Sequence, residues 1–524
     1  MSLIEVRGLT FAYEGSYDNI FEDVSFSVDT DWKLGFIGRN GRGKTTFLRL
    51  LMGELPYTGD IRCDVRFDYF PFPVQNPGQP ALTAAREAIA PFAALEEEKE
   101  RCLACGDLAG YGRAEEQFLA ADGYIIDELI ARECGRLRLP EEVLQRPFDT
   151  LSGGERTKVL LAALFLRHGR FLLIDEPTNH LDVQGRRDVG DYLALKKGFI
   201  LVSHDRDFLD RSVDHILSLN RKSIEVQKGN FSSFEENRRR RDQFELAENE
   251  RLKKDIGRLQ QAARQKAGWS DRMERSKIGE HSFDRGYIGH KAAKMMARAK
   301  AIERRQERAI EEKQALLQDL EETEPLSLHP LAYPKQRLIE ARGLSIVFDG
   351  APVFEGLDFI LQRGERLALT GKNGSGKSSV LKLCCGEELA YTGFFSRGGG
   401  LQISYVPQDA SFLKGGLREF IRQRGLDEPL FKAILRKLDF SRLQFEKDMS
   451  DYSAGQKKKV LLAASLSSRA HLYIWDEPLN FIDLYSRLQI EEMLLDVQPA
   501  MLFVEHDAAF VSRIATGSAA LTRL

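Results

Sequence analysis

Two stretches of this 524-residue chain have the residue types and spacing to grip phosphate. Gly38-Arg39-Asn40-Gly41-Arg42-Gly43-Lys44-Thr45 and Gly371-Lys372-Asn373-Gly374-Ser375-Gly376-Lys377-Ser378 both fit G-x-x-x-x-G-K-[ST], and Thr46 and Ser379 follow them. Glycine lets the backbone approach closely, so that N–H groups wrap the phosphates. Lys44 and Lys377 then reach the β and γ oxygens, while the hydroxyls of Thr45 and Ser378 suit Mg²⁺. Further groups follow each loop in the same order. Asp175-Glu176 and Asp476-Glu477 end apolar runs. The first acid of each pair suits Mg²⁺ through water, and the second suits polarising an attacking water. His204 and His506 come next, at matching places where a γ-phosphate contact outweighs the structural role usual for a lone histidine.

These groups need elements to position them. Leu34-Gly35-Phe36-Ile37 and Leu367-Ala368-Leu369-Thr370 read as strands entering the Gly-rich loops, with helices beginning near Thr45 and Ser378. Strand, loop and helix form the context in which such a loop binds phosphate, and the helix N-terminus adds its positive dipole end. Phe171–Ile174 and Leu472–Trp475 read as buried strands presenting their acids at the C-terminal end. Ser152-Gly153-Gly154 and Ser453-Ala454-Gly455 precede helix-compatible runs from Val159 to Leu166 and from Val460 to Leu466, which makes two more anion-binding N-termini. Glu5–Tyr13 and Glu340–Phe348 are β-like openings; their last aromatics, Tyr13 and Phe348, either stack on adenine or pack in a core. The pattern predicts one α/β P-loop ATPase domain written twice.

The constellation resembles the ATP-binding cassette superfamily across both repeats. The resemblance implies ATP and Mg²⁺ as ligands, ATP hydrolysis, and head-to-tail pairing of the two cassettes within a monomer. Each ATP would lie between one phosphate loop and the other cassette's signature. Glu176 and Glu477 become catalytic carboxylates, His204 and His506 switch histidines. Thr45, Ser378, Asp175 and Asp476 become Mg²⁺ ligands. Ser152, Gly153 and Gly154, and Ser453, Ala454 and Gly455, close on the partner cassette's ATP. Gln408, after Tyr405-Val406-Pro407, holds the place of the family's glutamine, which senses Mg²⁺ and water. Phe72 stands there in the first copy, with Gln75 nearby but out of register, and Ala454-Gly455-Gln456 departs from Gly153-Gly154-Glu155. Head-to-tail pairing puts these departures in the Lys44 site, so faster hydrolysis is expected at Lys377 and Glu477.

Composition bounds the rest. Hydrophobic content of 43%, charged content of 30% and a net charge of −3 describe a soluble protein that is not basic overall. The N-terminus lacks a basic segment followed by an apolar run, so no signal peptide is expected. No apolar stretch approaches the roughly 20 residues that span a bilayer, so membrane insertion is not expected and the cytoplasm is. Six cysteines fit a reducing compartment. Cys102-Leu103-Ala104-Cys105 lacks the second pair a zinc site would need, and Cys384-Cys385 suit small apolar packing.

Between the repeats lies a charged segment without proline from Thr178 to Pro325. Ser233 and Glu236 fit a capping box. Leu252, Ile256, Leu259 and Ala263, then Met295, Ala299, Ile302, Ala309, Leu316 and Leu320, recur at helical spacing on either side of Gly268, Gly279, Gly286 and Gly289. Two antiparallel helices around a tip are expected, each of some 30 residues reaching ~45 Å. Arg251–Arg308 carries 17 Lys/Arg against 7 Asp/Glu. Such a hairpin is either a solvated spacer or, with Trp269, Phe283 and Tyr287 among the cations, an RNA-facing surface. The domains read as 1–234 and 331–524, joined by a linker over 235–330. The first repeat runs 79 residues from Phe72 to Leu151 where the second needs 44, leaving room for an arm-like insertion within 80–145.

Tandem cassettes, this linker and Glu176-Pro177-Thr178-Asn179-His180-Leu181-Asp182 resemble the ABC-F family of ribosome-associated ATPases. The signature segments and Gly286-Tyr287-Ile288-Gly289-His290-Lys291 are similar to its Lsa/Vga-type antibiotic-resistance members. The resemblance implies a bacterial ribosome as partner, entered at the E site. The linker tip (Arg272, Arg275, Lys277, Arg285, Tyr287, His290, Lys291, Lys294) would face 23S rRNA and P-site tRNA near the peptidyl-transferase centre. It also implies protection against lincosamides, pleuromutilins and streptogramin A. A housekeeping ABC-F factor, the ATPase of a membrane transporter and a DNA-directed ATPase are the competing readings.

Overall fold

The computed structural model describes residues 2–13, 19–220, 224–241, 325–348, 351–354, 356–372 and 374–522, with scattered positions between 243 and 254. Met1–Ser232 with Glu324–Leu524 form one compact unit, and Ser233–Thr323 another. The linker-tip residues Arg272 to Lys294 lie outside the described residues, as do Asn373 and the side chain of Phe348.

Each cassette is built on a parallel sheet. In the first, the strands run in the order Arg66–Phe70, Arg170–Asp175, Phe199–Val202, Lys33–Gly38 and His215–Leu219, with Ile224–Lys228 antiparallel at the edge. The second repeats the order with Ile403–Val406, Leu472–Asp476, Met501–Val504, Arg366–Thr370 and Gly517–Ala520. The central strands are unbroken apolar runs such as Phe199-Ile200-Leu201-Val202, every residue buried. Such runs belong to parallel strands covered by helices on both faces. The crossover connections bring the phosphate loops, the acid pairs and the histidines to the C-terminal edge of the sheet, where α/β folds bind ligands.

An antiparallel layer leans on each sheet, three-stranded in the first cassette and four-stranded in the second, where the short strand Ala351–Pro352 is added. Leu3–Phe11 sits between Phe21–Asp29 and Thr58–Arg62, and Arg337–Phe348 between Leu357–Gln362 and Tyr391–Arg397. Gly59 and Gly393 hold equivalent places with φ of +112° and +90°, and a Cβ would stand 2.6 Å from Gly8 O and 2.2 Å from Gly343 O. Phe21, Phe36 and Phe47 interlock edge-on beneath the first phosphate-loop helix. Burying each contributes about 1.5–3 kcal/mol.

The helix after the first cassette begins at residue 231, so Ser233 lies inside it instead of capping it. Ser232 explains the earlier start: its N–H donates to Asp210 Oδ1 at 2.8 Å, fixing the first turn to the cassette. No helix among the described residues is long and apolar enough to cross a membrane.

Candidate ATP sites

Gly43 and Gly376 precede the helices Lys44–Leu51 and Lys377–Cys385 with φ of +103° and +92°. A left-handed residue at that point turns the loop back over the helix N-terminus, and glycine takes it without strain. Lys44 Nζ donates to Gly38 O at 2.7 Å and to Arg39 O and Asn40 Oδ1 at 3.2 Å. Lys377 Nζ donates to Gly371 O and Lys372 O at 2.9 Å. Both ammonium groups lie in the mouths of their loops, where a phosphate would take over their donors. Thr45 Oγ1 donates to Asp175 Oδ2 at 3.0 Å, and Ser378 hydrogen-bonds Asp476. Hydroxyl and carboxylate oxygens are the donor set Mg²⁺ prefers, and the buried Asp476 Oδ1 has no hydrogen-bond partner of its own.

The Lys44 site is closed by the other cassette. Asn40, Gly41, Glu176 and His204 line a cavity of about 450 Å³ together with Ser453, Ala454, Gly455 and Gln456 of the second signature. Asn40 Nδ2 donates to Phe481 O across the junction at 2.7 Å. Its Oδ1 therefore accepts, and His204 Nε2 donates to it at 3.0 Å. Glu176 Oε1 lies 3.3 Å from that histidine nitrogen yet has no hydrogen-bond partner. Burial, then the neighbouring Asp175, push the Glu176 carboxyl up to about 8. Burial and Lys44 hold His204 well below its ordinary value.

The Lys377 site holds its carboxylate differently. Glu477 Oε1 accepts from His506 Nε2 at 3.1 Å, and Oε2 from Gln408 at 2.9 Å and Asn480 at 2.6 Å. Burial pushes its pKa up, but the histidine, Gln408 and Lys377 outweigh burial and leave it below the usual range. The backbone is the same in both sites: Glu176 and Glu477 sit in the left-handed region at φ +50° and +46°. A non-glycine residue there costs on the order of 1–3 kcal/mol, a strain typical of functional positions.

Ser152 and Ser453 N-cap the helices Gly153–Phe165 and Ala454–Ser467 in full capping boxes with Glu155 and Gln456. The change from glutamate to glutamine thus keeps the cap. Among the described residues, no hydrogen bond or ion pair joins Ser152, Gly153 or Gly154 to the second phosphate loop. Phe72 lies beneath the Arg167 guanidinium, 4.6 Å from its ring centre, and supplies no donor to Glu176. The Tyr13 hydroxyl pairs with Thr46 Oγ1 at 2.9 Å, with its ring 44% exposed beside the loop helix. Sequence reasoning missed Tyr69, whose hydroxyl donates to Asp175 Oδ2 at 2.9 Å. It also missed Asn480 and the buried Lys459–Asp483 pair at 2.9 Å behind the signature. Asn480 had a legible signal, since Asn179 repeats it three residues after Glu176.

The ABC transporter family profile matches residues 21–179 and 354–480. The ribosome protection protein VmlR of Bacillus subtilis is 28% identical over 511 residues, covering 96% of this chain and 84% of that protein. The energy-dependent translational throttle protein EttA of Escherichia coli is 28% identical over 522 residues, covering 95% and 88%. An archaeal ribosome recycling factor, solved with a ribosomal stalk protein, aligns at a TM-score of 0.55 and 17% identity over 98% of this chain and 89% of that one, a likeness of fold. The chain belongs to the ABC transporter family of ATP-hydrolysing cassettes, in the ABC-F branch.

Proposed function

We propose that this protein is a ribosome-bound ATPase that protects translation from antibiotics. ATP closes the cassettes over 1–234 and 331–524, the closed form binds a bacterial ribosome at the E site, and the linker over 235–330 extends toward the peptidyl-transferase centre. There the basic tip, from Arg272 to Lys294, meets 23S rRNA and P-site tRNA and clears lincosamide, pleuromutilin or streptogramin A drugs. Hydrolysis releases it. The observation that carries the reading is the cavity shared by the first phosphate loop and the second signature. Such a cavity makes ATP the joint between two halves of one chain, so nucleotide state can govern what the chain grips. The likeness to VmlR, a ribosome protection protein, adds the ribosome.

In this reading Lys44 and Lys377 hold phosphates, and Thr45, Asp175, Ser378 and Asp476 hold Mg²⁺, which neutralises charge on the phosphates when bound. Gln408 and Glu477 orient and polarise the attacking water, and His506 fixes Glu477. The equal likeness to EttA supports a second reading, a translation factor without drug protection.

Ribosome pelleting with ATP, using Glu176→Gln/Glu477→Gln to stall hydrolysis, tests the shared part. Retention is expected; loss of binding by a variant that still takes up ATP would overturn both readings. Translation with lincosamide or pleuromutilin present then separates them: rescue supports protection, and no rescue leaves the translation factor.

A further inference from the structure

The two ATP sites differ in what holds them shut. Arg39 and Arg42 of the first phosphate loop reach across to Asp439 of the second cassette, with Arg42 Nε 3.5 Å from Oδ2 and Arg39 Nη1 4.0 Å from Oδ1. The two arginines are only 12% and 19% exposed, so the contact is partly shielded from water. Asp439 lines the same cavity as Asn40 and Ala454. It takes φ +62° just past the helix Glu428–Lys437, fourteen residues before Ser453.

The first cassette repeats this turn. Arg138 takes φ +55° just past the helix Ile126–Arg136, fourteen residues before Ser152. The acid of one turn is thus a cation in the other. The loop it would meet carries Lys372 and Ser375 where the first carries Arg39 and Arg42. Lys372 is exposed, and Arg138 is 63% exposed and pairs within its own cassette, with Asp188 at 3.0 Å. Cations thus stand at both places where the other site has an ion pair.

A second bridge is one-sided as well. Arg206, first residue of the helix after His204, pairs with the fully buried Glu491 of the second cassette, which also accepts from Arg513 at 3.1 Å. At the corresponding places stand Ala508 and Gly190, which carry no charge.

We infer that Asp439, with Arg39 and Arg42, forms an ionic clasp that keeps the Lys44 site closed while the Lys377 site opens and shuts. The Lys44 site then acts as the hinge and retains its nucleotide across openings of its neighbour. This holds whatever the closed form binds, so its failure and that of the ribosome reading are separate outcomes.

The test is nucleotide release. The full chain with Glu176→Gln/Glu477→Gln is loaded with labelled ATP and chased with unlabelled ATP. Two release phases are expected, with the slow one lost in Lys44→Ala. Asp439→Asn should speed the slow phase about three- to tenfold, the scale of a partly shielded pair, and leave the fast phase unchanged. Arg39→Lys/Arg42→Ser, which gives the first loop the residues of the second, should do the same if Asp439→Asn folds poorly. Arg138→Asp should slow the fast phase by placing an acid opposite Lys372. A single phase, a slow phase lost instead in Lys377→Ala, or a slow phase indifferent to both clasp variants would overturn the inference.

Discussion

Glu176 and Glu477 have the same place, the same left-handed backbone and the same proline after them, yet opposite protonation tendencies. The difference comes from what reaches each carboxylate. Glu477 accepts three hydrogen bonds, from His506, Gln408 and Asn480. Glu176 is half-buried beside Asp175, its histidine turned to Asn40, with Phe72 where the glutamine would be. A duplicated fold therefore fixes where catalytic groups stand, and a few side chains decide which of them is charged.

The comparison breaks first on the carboxylates. Glu477→Gln is expected to cut steady-state ATPase by about 100-fold or more, the scale of losing a general base. Glu176→Gln should cost less than about twofold, because Glu176 Oε1 has no hydrogen-bond partner and its histidine pairs with Asn40 instead. Equal losses, from variants that both still bind ATP, would remove the asymmetry.

The glutamine position sharpens it. Gln408→Ala should lower kcat about tenfold, roughly 1.4 kcal/mol for one hydrogen bond to a charged carboxylate. Phe72→Gln in the Glu477→Gln background should raise the residual ATPase, since it returns a donor toward Glu176. No gain there would mean that Asn40's hold on His204, not Phe72, sets the slower site.

Most of the site was legible because phosphate chemistry fixes both residue type and spacing. The loops, the acid pairs and the histidines all stand at one sheet edge in each cassette. What escaped had no such pattern. Tyr69 and Tyr405 end equivalent strands, but only the Tyr69 hydroxyl bonds its aspartate among the described residues. Arg42 and Asp439 are 397 residues apart and meet only because the cassettes pair head to tail. Ser233 looked like a cap because Glu236 follows it, but the tertiary bond from Ser232 to Asp210 starts the helix earlier.

Tyr69→Phe is the next smaller test. Removing its hydroxyl costs Asp175 one of two side-chain donors, about 1 kcal/mol. The Mg²⁺ concentration needed for ATP binding at the Lys44 site, read in a Lys377→Ala background, should shift by about fivefold. Tyr405→Phe, read in a Lys44→Ala background, should leave the other site unchanged.

The smallest effect concerns the residue before each histidine, Ser203 in one cassette and Glu505 in the other. Both are buried, but Glu505 Oε2 has no hydrogen-bond partner. Burial pushes its carboxyl up to about 8; Arg487 and Arg186 pull it down, while Asp507 and Glu477 add to the rise. A carboxyl whose pKa is higher folded than unfolded favours the folded chain fully below its ordinary 4.5, and that contribution is lost as pH climbs to about 8. Glu505→Gln has nothing to titrate. Its melting temperature relative to wild type should therefore rise between pH 5 and pH 8.5, by about 2–4 °C for each kcal/mol recovered. Parallel pH profiles for the two proteins would mean that the Arg487 and Arg186 charges keep Glu505 ionised throughout, and that this position does not distinguish the cassettes.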